Sequence, residues 1–245
     1  MRITIWNEFR HETSNEKVKA IYPDGIHGVL GKHLSAVPEF EVRTATLDEV
    51  DHGLPQEVVD NTDVMLWWGH RAHGEVSDEV TERVCKAIEN GMGFVALHSA
   101  HFSKPFKRLM GTSCGLTWRV GNDHERLWVT DPTHPIAAGI DRYLELDEEE
   151  MYGEFFNVPT PDELIFVSWF SGGEVFRSGM VWRRGAGKVF YFRPGHETYP
   201  TYKNRDILRV IENGCRYVAA AAKPTVTGID TIPQAKESPE QLRDR

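Results

Sequence analysis

Four consecutive apolar residues, Phe94-Val95-Ala96-Leu97, run without polar alternation and stop abruptly at His98-Ser99-Ala100-His101. A strand with no polar face is covered on both faces, the condition inside a parallel sheet packed between helices. Gly91 and Gly93 end the preceding helix and open this strand. In open α/β sheets ligands bind beyond the carboxyl ends of the strands, where diverging loops leave a crevice. Two histidines just past such an end therefore mark a candidate site, and His98 leads it; the competing reading is a core histidine satisfied by hydrogen bonds.

The chain on either side supplies the rest of an α/β domain. Residues 2–6 form a strand, and Asn7, Glu8, His11 and Glu12 follow it in a polar loop. Ile26, Val29, Leu30, Leu34 and Val37 recur at helical spacing over residues 25–37. Strands are expected at 40–46 and 63–68, the latter ending in Gly69-His70, with a loop and short helix over 47–61 between them. Ser77 caps a helix with Asp78 and Glu79 in its first turn, where carboxylates favour the positive end of the dipole. Residues 1–97 thus read β-α-β-α-β-α-β, a mostly parallel sheet with helices on both faces.

Beyond this unit a strand is expected over 126–130, then a turn at Asp131-Pro132-Thr133-His134-Pro135. The acidic run Asp147 to Glu150 has the composition of a solvated surface, with Met151-Tyr152 and Phe155-Phe156 folding back on the body. Apolar runs at 164–170, 179–182 and 188–192 alternate with short glycine turns, the pattern of an added antiparallel portion. A last helix, capped by Thr201, buries Ile207, Leu208, Val210, Ile211, Cys215 and Val218. Residues 1–222 form one domain, and the polar stretch 223–245 is a tail or an arm contacting another subunit.

Charge and composition exclude whole classes of partner. A net charge of −9, from 37 acidic and 28 basic residues, repels nucleic-acid backbones. No apolar run approaches the ~20 residues that span a bilayer, so no membrane is expected. The first residues lead straight into a strand with no signal segment, which predicts a cytoplasmic protein. Three scattered cysteines suit reduced thiols, and no nucleotide cofactor is expected. The tail and the 11% aromatic content favour a homo-oligomer.

Histidines carry the chemistry. His196 also follows a strand, in Arg193-Pro194-Gly195-His196-Glu197, and parallel strands present their carboxyl ends along one rim. His98 and His196 are therefore candidate catalytic bases, with Glu197 and Glu150 as acid–base partners. A divalent metal such as zinc requires three or four converging ligands, and His11, His98, His124 and His196 all come from loops on that side. No short-range metal signature supports it, and surface histidines that pick up ions are the alternative. Trp6, Trp68 and Tyr152 offer aromatic faces to a sugar ring, and Asn7, Glu8 and Arg193 offer hydrogen bonds to its hydroxyls, although each suits a core equally. Ser99, beside His98, is a further substrate contact or a nucleophile served by nearby amides, without the Gly-x-Ser-x-Gly setting of a hydrolase.

Three motifs, Phe94-Val95-Ala96-Leu97-His98-Ser99-Ala100, Asp131-Pro132-Thr133-His134-Pro135-Ile136 and Gly195-His196-Glu197-Thr198-Tyr199-Pro200-Thr201-Tyr202, resemble those of the ThuA-type trehalose-utilisation family. The resemblance spans the first strand to about Ala221. It implies a flavodoxin-like sheet of the class I glutamine amidotransferase superfamily and a role in disaccharide catabolism, often beside oxidoreductases that make keto-sugars. In true amidotransferases a cysteine occupies the turn after the central strand, and a histidine with a glutamate two positions later completes the triad. Here His98 takes the cysteine position and Thr198 the glutamate position, so the thioester route is closed and glutaminase activity is not expected. The leading expectation is an isomerase, lyase or hydrolase working on a small sugar or keto-glycoside by acid–base chemistry. The alternative is a non-catalytic sugar-binding or regulatory module on the same scaffold.

Overall fold

The computed structural model describes residues 1–220, and the stretch 223–245 lies outside the described residues. Its strands are β1 (Arg2–Asn7), β2 (Glu41–Thr46), β3 (Val64–Trp68), β4 (Gly93–Leu97), β5 (Thr117–Val129), β6 (Tyr143–Gly153), β7 (Glu163–Phe170), β8 (Val175–Arg184) and β9 (Gly187–Phe192). Its helices are α1 (His11–Ser14), α2 (Glu16–Ile21), α3 (Gly25–Leu34), α4 (Gln56–Asp60), α5 (Asp78–Glu89), α6 (Lys104–Met110) and α7 (Arg205–Val218). All nine strands join in one mixed sheet of order β2-β1-β3-β4-β9-β8-β7-β5-β6.

The two halves of the sheet differ in direction. β2, β1, β3, β4 and β9 pair in parallel, whereas β9, β8, β7, β5 and β6 pair antiparallel. The antiparallel part is thus half the sheet, larger than the addition expected from sequence. The difference arises mainly in β5 and β6. The first half of β5, Thr117 to Asn122, is exposed throughout, and its only alternation, Trp118 and Val120, breaks at Gly121-Asn122, so only its last residues look like a strand. The acidic run likewise lies inside β6: Asp147 and Glu148 face solvent, but Glu149 and Glu150 are buried.

Each strand's alternation divides the core in two. Val95 and Leu97 pack with Ile3, Ile5 and Leu66 against α3 and α7. Phe94 and Ala96 pack with Met65, Trp67 and Tyr191 against α5 and α6. Helices therefore cover both faces, which is why β3 and β4 are apolar at every position. Ser77 accepts from the N–H of Val80 and caps α5 as expected. The polar loop after β1 instead contains α1 and α2, the second capped by Asn15, whose side chain accepts from the N–H of Lys17 and Val18. No helix among the described residues is long and apolar enough to cross a membrane.

Candidate active site

The carboxyl ends of the parallel strands meet β6 along one rim. β3 leads to His70, β4 to His98 and β9 to His196 and Glu197, while β6 carries Glu150 and Tyr152 across from the antiparallel half. His98 opens a 3₁₀ turn, His98–Phe102, with φ of +50°, a left-handed conformation that side chains other than glycine rarely adopt. That kink turns the imidazole out of the strand's pleat and toward the rim.

His98 is fully buried, and its Nδ1 lies 2.9 Å from the carbonyl oxygen of Arg193. A carbonyl only accepts, so Nδ1 carries the proton and the bare Nε2 faces Glu150 Oε2 at 3.1 Å. The Tyr152 hydroxyl lies 3.4 Å from the same nitrogen, and the phenol ring stacks on the imidazole. His196 sets its Nδ1 2.8 Å from the Thr198 hydroxyl. The Thr198 N–H, which can only donate, reaches the same nitrogen at 3.3 Å, so Nδ1 accepts and the neutral ring carries its proton on Nε2. His196 Nε2 stands 4.0 Å from Glu150 Oε2 and 3.7 Å from Glu197 Oε1. His70 lies parallel to His98 and edge-on to His196, with ring centroids 6.2 and 5.3 Å away. Glu197 Oε1 is 2.8 Å from His11 Nδ1, and Glu197 Oε2 is 4.0 Å from His70 Nε2.

Burial and charge pull these groups apart. Desolvation lowers His98 and His196 to about 4, so both imidazoles are neutral at physiological pH. Burial alone would raise Glu197, but the bond to His11 and the neighbouring imidazoles hold it down at about 2. Glu150 moves the other way, raised chiefly by burial. Two carboxylates pushed in opposite directions in one pocket can divide the work, one exchanging a proton while the other keeps its charge.

A buried frame holds the rim. Arg193, with no exposed surface, forms an ion pair with the equally buried Glu125 and donates to the Glu150 carbonyl at 2.7 Å. Glu149 accepts from the Gly195 N–H at 2.9 Å and the Thr201 hydroxyl at 2.8 Å, which pins the loop that carries His196. Glu8 accepts from the N–H groups of Arg71 and Ala72 and so shapes the loop after His70.

The sequence-predicted residues sort by these contacts. His98, His196, Glu150 and Glu197 converge at the centre, flanked by Tyr152 and by Trp68, whose indole donates to the Gly195 carbonyl. Glu8 and Arg193 are absorbed in the frame, and the Ser99 hydroxyl donates to the Gly69 carbonyl at 2.7 Å, joining two loops. Trp6 stacks on Trp67 in the core and donates to the His52 carbonyl, and Asn7 is buried against Glu12 and His27. His124 stands apart, its side chain 48% exposed beside Glu145. Its neighbours Asp123 and Glu125 on β5 are buried, and the alternation of the strand turns His124 to the opposite, solvent-facing side. His70 is the central residue that the sequence reading passed over, although Val64–Trp68 followed by Gly69-His70 repeats the pattern that singles out His98.

A family model described as trehalose utilisation, ThuA, matches residues 2–218. No curated protein matches the chain. Among solved structures, a ThuA-like protein from Parabacteroides merdae superposes with a TM-score of 0.65 at 15% identity, covering 95% of this chain and 92% of that one. A ThuA-like protein from Bacteroides uniformis gives 0.64 at 15% identity, with coverage of 89% and 91%. PurLQS from Thermotoga maritima gives 0.53 at 11% identity, with coverage of 88% and 98%. At such identities the likeness is one of fold.

Proposed function

The chain belongs to the ThuA family, whose description is trehalose utilisation, and from that premise we propose that it is a sugar-catabolism enzyme doing acid–base chemistry on a keto-disaccharide or keto-glycoside. The parallel order β2-β1-β3-β4-β9 is read as the flavodoxin-like part of the scaffold, which sets a site at the strand ends. The observation that carries the reading is the buried contact of Glu150 Oε2 with His98 Nε2 at 3.1 Å, beside the second imidazole of His196.

Trehalose itself joins two anomeric carbons and offers neither a free carbonyl nor an acidic C–H. A ketone beside a ring C–H changes that, because the electrons left by proton abstraction move onto the carbonyl oxygen. The pair Glu150–His98 takes the proton, and His196 or the Tyr152 hydroxyl supplies one to the oxygen as charge develops there. Returning a proton at the neighbouring carbon gives an isomer; expelling a glycosidic oxygen one carbon further on gives cleavage. Glu197 keeps its negative charge through its bond to His11 and so favours a protonated neighbour during the step.

The test incubates purified protein with a keto-derivative of trehalose in D2O and follows the C–H signals beside the ketone by NMR. Deuterium incorporation, isomerisation or cleavage is expected from the native protein and not from His98→Ala or Glu150→Gln. Folded native protein that leaves every such C–H unexchanged refutes the proposal.

A further inference from the structure

We propose that His70, His98, His196 and Glu150 form a binding site for one divalent transition-metal ion, with Glu197 and His11 as its outer neighbours. The inference concerns the same rim but depends on donor geometry and not on the identity of any sugar; with the ion bound, the single lone pair of His98 Nε2 is a ligand and no longer the proton acceptor of the metal-free reaction.

One donor atom from each of these four residues lies within 4.8 Å of every other. Tetrahedral coordination at zinc-like bond lengths needs donor–donor separations of about 3.4 Å. The observed 3.1 Å from Glu150 to His98 and 4.0 Å from Glu150 to His196 bracket that value. Small rotations of side chains would close the cage.

Unpaired atoms point to the same place. Glu150 Oε2 is buried with no hydrogen-bond partner, although His98 Nε2 stands beside it, because the proton of that ring is spent on the Arg193 carbonyl. Two acceptors face each other across 3.1 Å, and the one donor beside them, the Tyr152 hydroxyl, lies 3.4 Å from the imidazole. Glu197 Oε2 and His70 Nδ1 are likewise buried without partners. Buried polar atoms left unsatisfied are destabilising, most of all where charged, so a cation at the centre removes several penalties at once.

The surroundings are those of a tuned site. Arg193's carbonyl fixes the His98 tautomer that leaves Nε2 free. At His196 an ion on Nε2 would displace the ring proton to Nδ1, where the Thr198 hydroxyl oxygen, 2.8 Å away, can accept it. Glu149 and Glu125 are already committed to loop N–H groups and to Arg193. Two carboxylates, Glu150 and Glu197, therefore bear on the centre, and a doubly charged ion matches them. Three imidazoles with one carboxylate suit zinc and its transition-metal neighbours better than calcium or magnesium, which prefer oxygen. When bound, such an ion would supply Lewis-acid stabilisation to an oxygen on the substrate.

The experiment needs no substrate. Full-length protein is stripped with a chelator, dialysed and titrated with Co2+, whose visible absorption reports coordination; Zn2+ is then added as competitor, and thermal unfolding is followed with and without Zn2+. A single saturable equivalent, displaced by Zn2+ and raising the melting temperature, is expected. His70→Ala and Glu150→Gln should weaken binding by more than the about 10–100-fold that loss of an outer-shell partner costs, and Thr198→Val by about that amount. His124→Ala, which alters an exposed histidine outside the cluster, should bind as the native protein does. No saturable equivalent, or equal binding by native protein and Glu150→Gln, overturns the site. Metal binding without keto-sugar turnover would defeat only the proposed reaction, and turnover by protein that binds no saturable equivalent only this site.

Discussion

Removing Glu125 should damage the whole rim, because Arg193 has no other counter-charge in its first contacts. Both side chains are 0% exposed, and the guanidinium also donates to the Glu150 carbonyl and lies 5.2 Å from the Phe170 ring. Glu125→Ala leaves this cation buried and uncompensated, which costs about 3–5 kcal/mol. In a domain of this size each kcal/mol lowers the melting temperature by about 2–4 °C, so the fall should be about 6–20 °C. The double variant Glu125→Leu/Arg193→Met removes both charges and fills similar volume. Its main loss is the donor to the Glu150 carbonyl, about 1–3 kcal/mol. Urea unfolding of the three proteins, with unchanged m-values, measures both numbers. If Glu125→Ala stays within about 1 kcal/mol of native protein, or the double variant is less stable than the single, the pair does not hold the rim.

Gly195→Ala should lose at least about 2 kcal/mol, because φ is +131° and an added Cβ would run into the Tyr202 hydroxyl; a native unfolding midpoint would disprove it. For Glu154, burial pushes the carboxyl up, but hydrogen bonds from the Arg177 side chain and from the N–H groups of Phe156 and Arg177 hold it below its ordinary value. That contribution is complete above the unfolded value of about 4.3 and is lost as pH falls through the lower folded value, so the advantage of native protein over Glu154→Gln should shrink on acidification. A pH-independent difference between the two would contradict the assignment. At the φ of +50° of His98, glycine fits and alanine does not, so His98→Gly should be more stable than His98→Ala by about 1 kcal/mol, a ranking that chemical denaturation reads directly.

The parallel half was legible because its physics is local. Val64–Trp68 and Gly93–Leu97 are buried on both faces, so their composition alone announces strands, and α5 shows its apolar stripe and its serine cap in the same few residues. β5 and β6 were obscured because their partners supply what composition does not. Thr117 to Asn122 is held by pairing with β6 across bulges, and Glu149 and Glu150 are carried inward on a strand whose acidic run has the composition of solvent-facing chain. Site residues followed the same division. His98 and His196 announced themselves at the ends of apolar runs. The structural work of Trp6, Asn7 and Ser99 depends on residues 46, 20 and 30 positions away and could not be read locally. His124 looked equivalent to the other loop histidines because sequence does not say that it lies within β5, on the solvent side between the buried Asp123 and Glu125.

What separates this site from an amidotransferase triad is the side of the imidazole on which charge is placed. A glutamate two positions after the histidine would stand at Nδ1, raise the basicity of the ring and free Nε2 to take a proton from a thiol. Here Thr198 occupies that position and meets Nδ1 at 2.8 Å with a neutral hydroxyl, which can orient the ring but adds no charge. The negative groups, Glu150 and Glu197, stand instead on the Nε2 side of His196, at 4.0 and 3.7 Å. The left-handed kink at the end of β4 delivers an imidazole there, and burial raises the thiols of Cys85, Cys114 and Cys215 away from the reactive thiolate form. The strained end of β4 therefore brings an imidazole to a carboxylate, with no thiol among the residues gathered there. On the reading we propose, such a centre moves protons or holds a cation and forms no acyl intermediate.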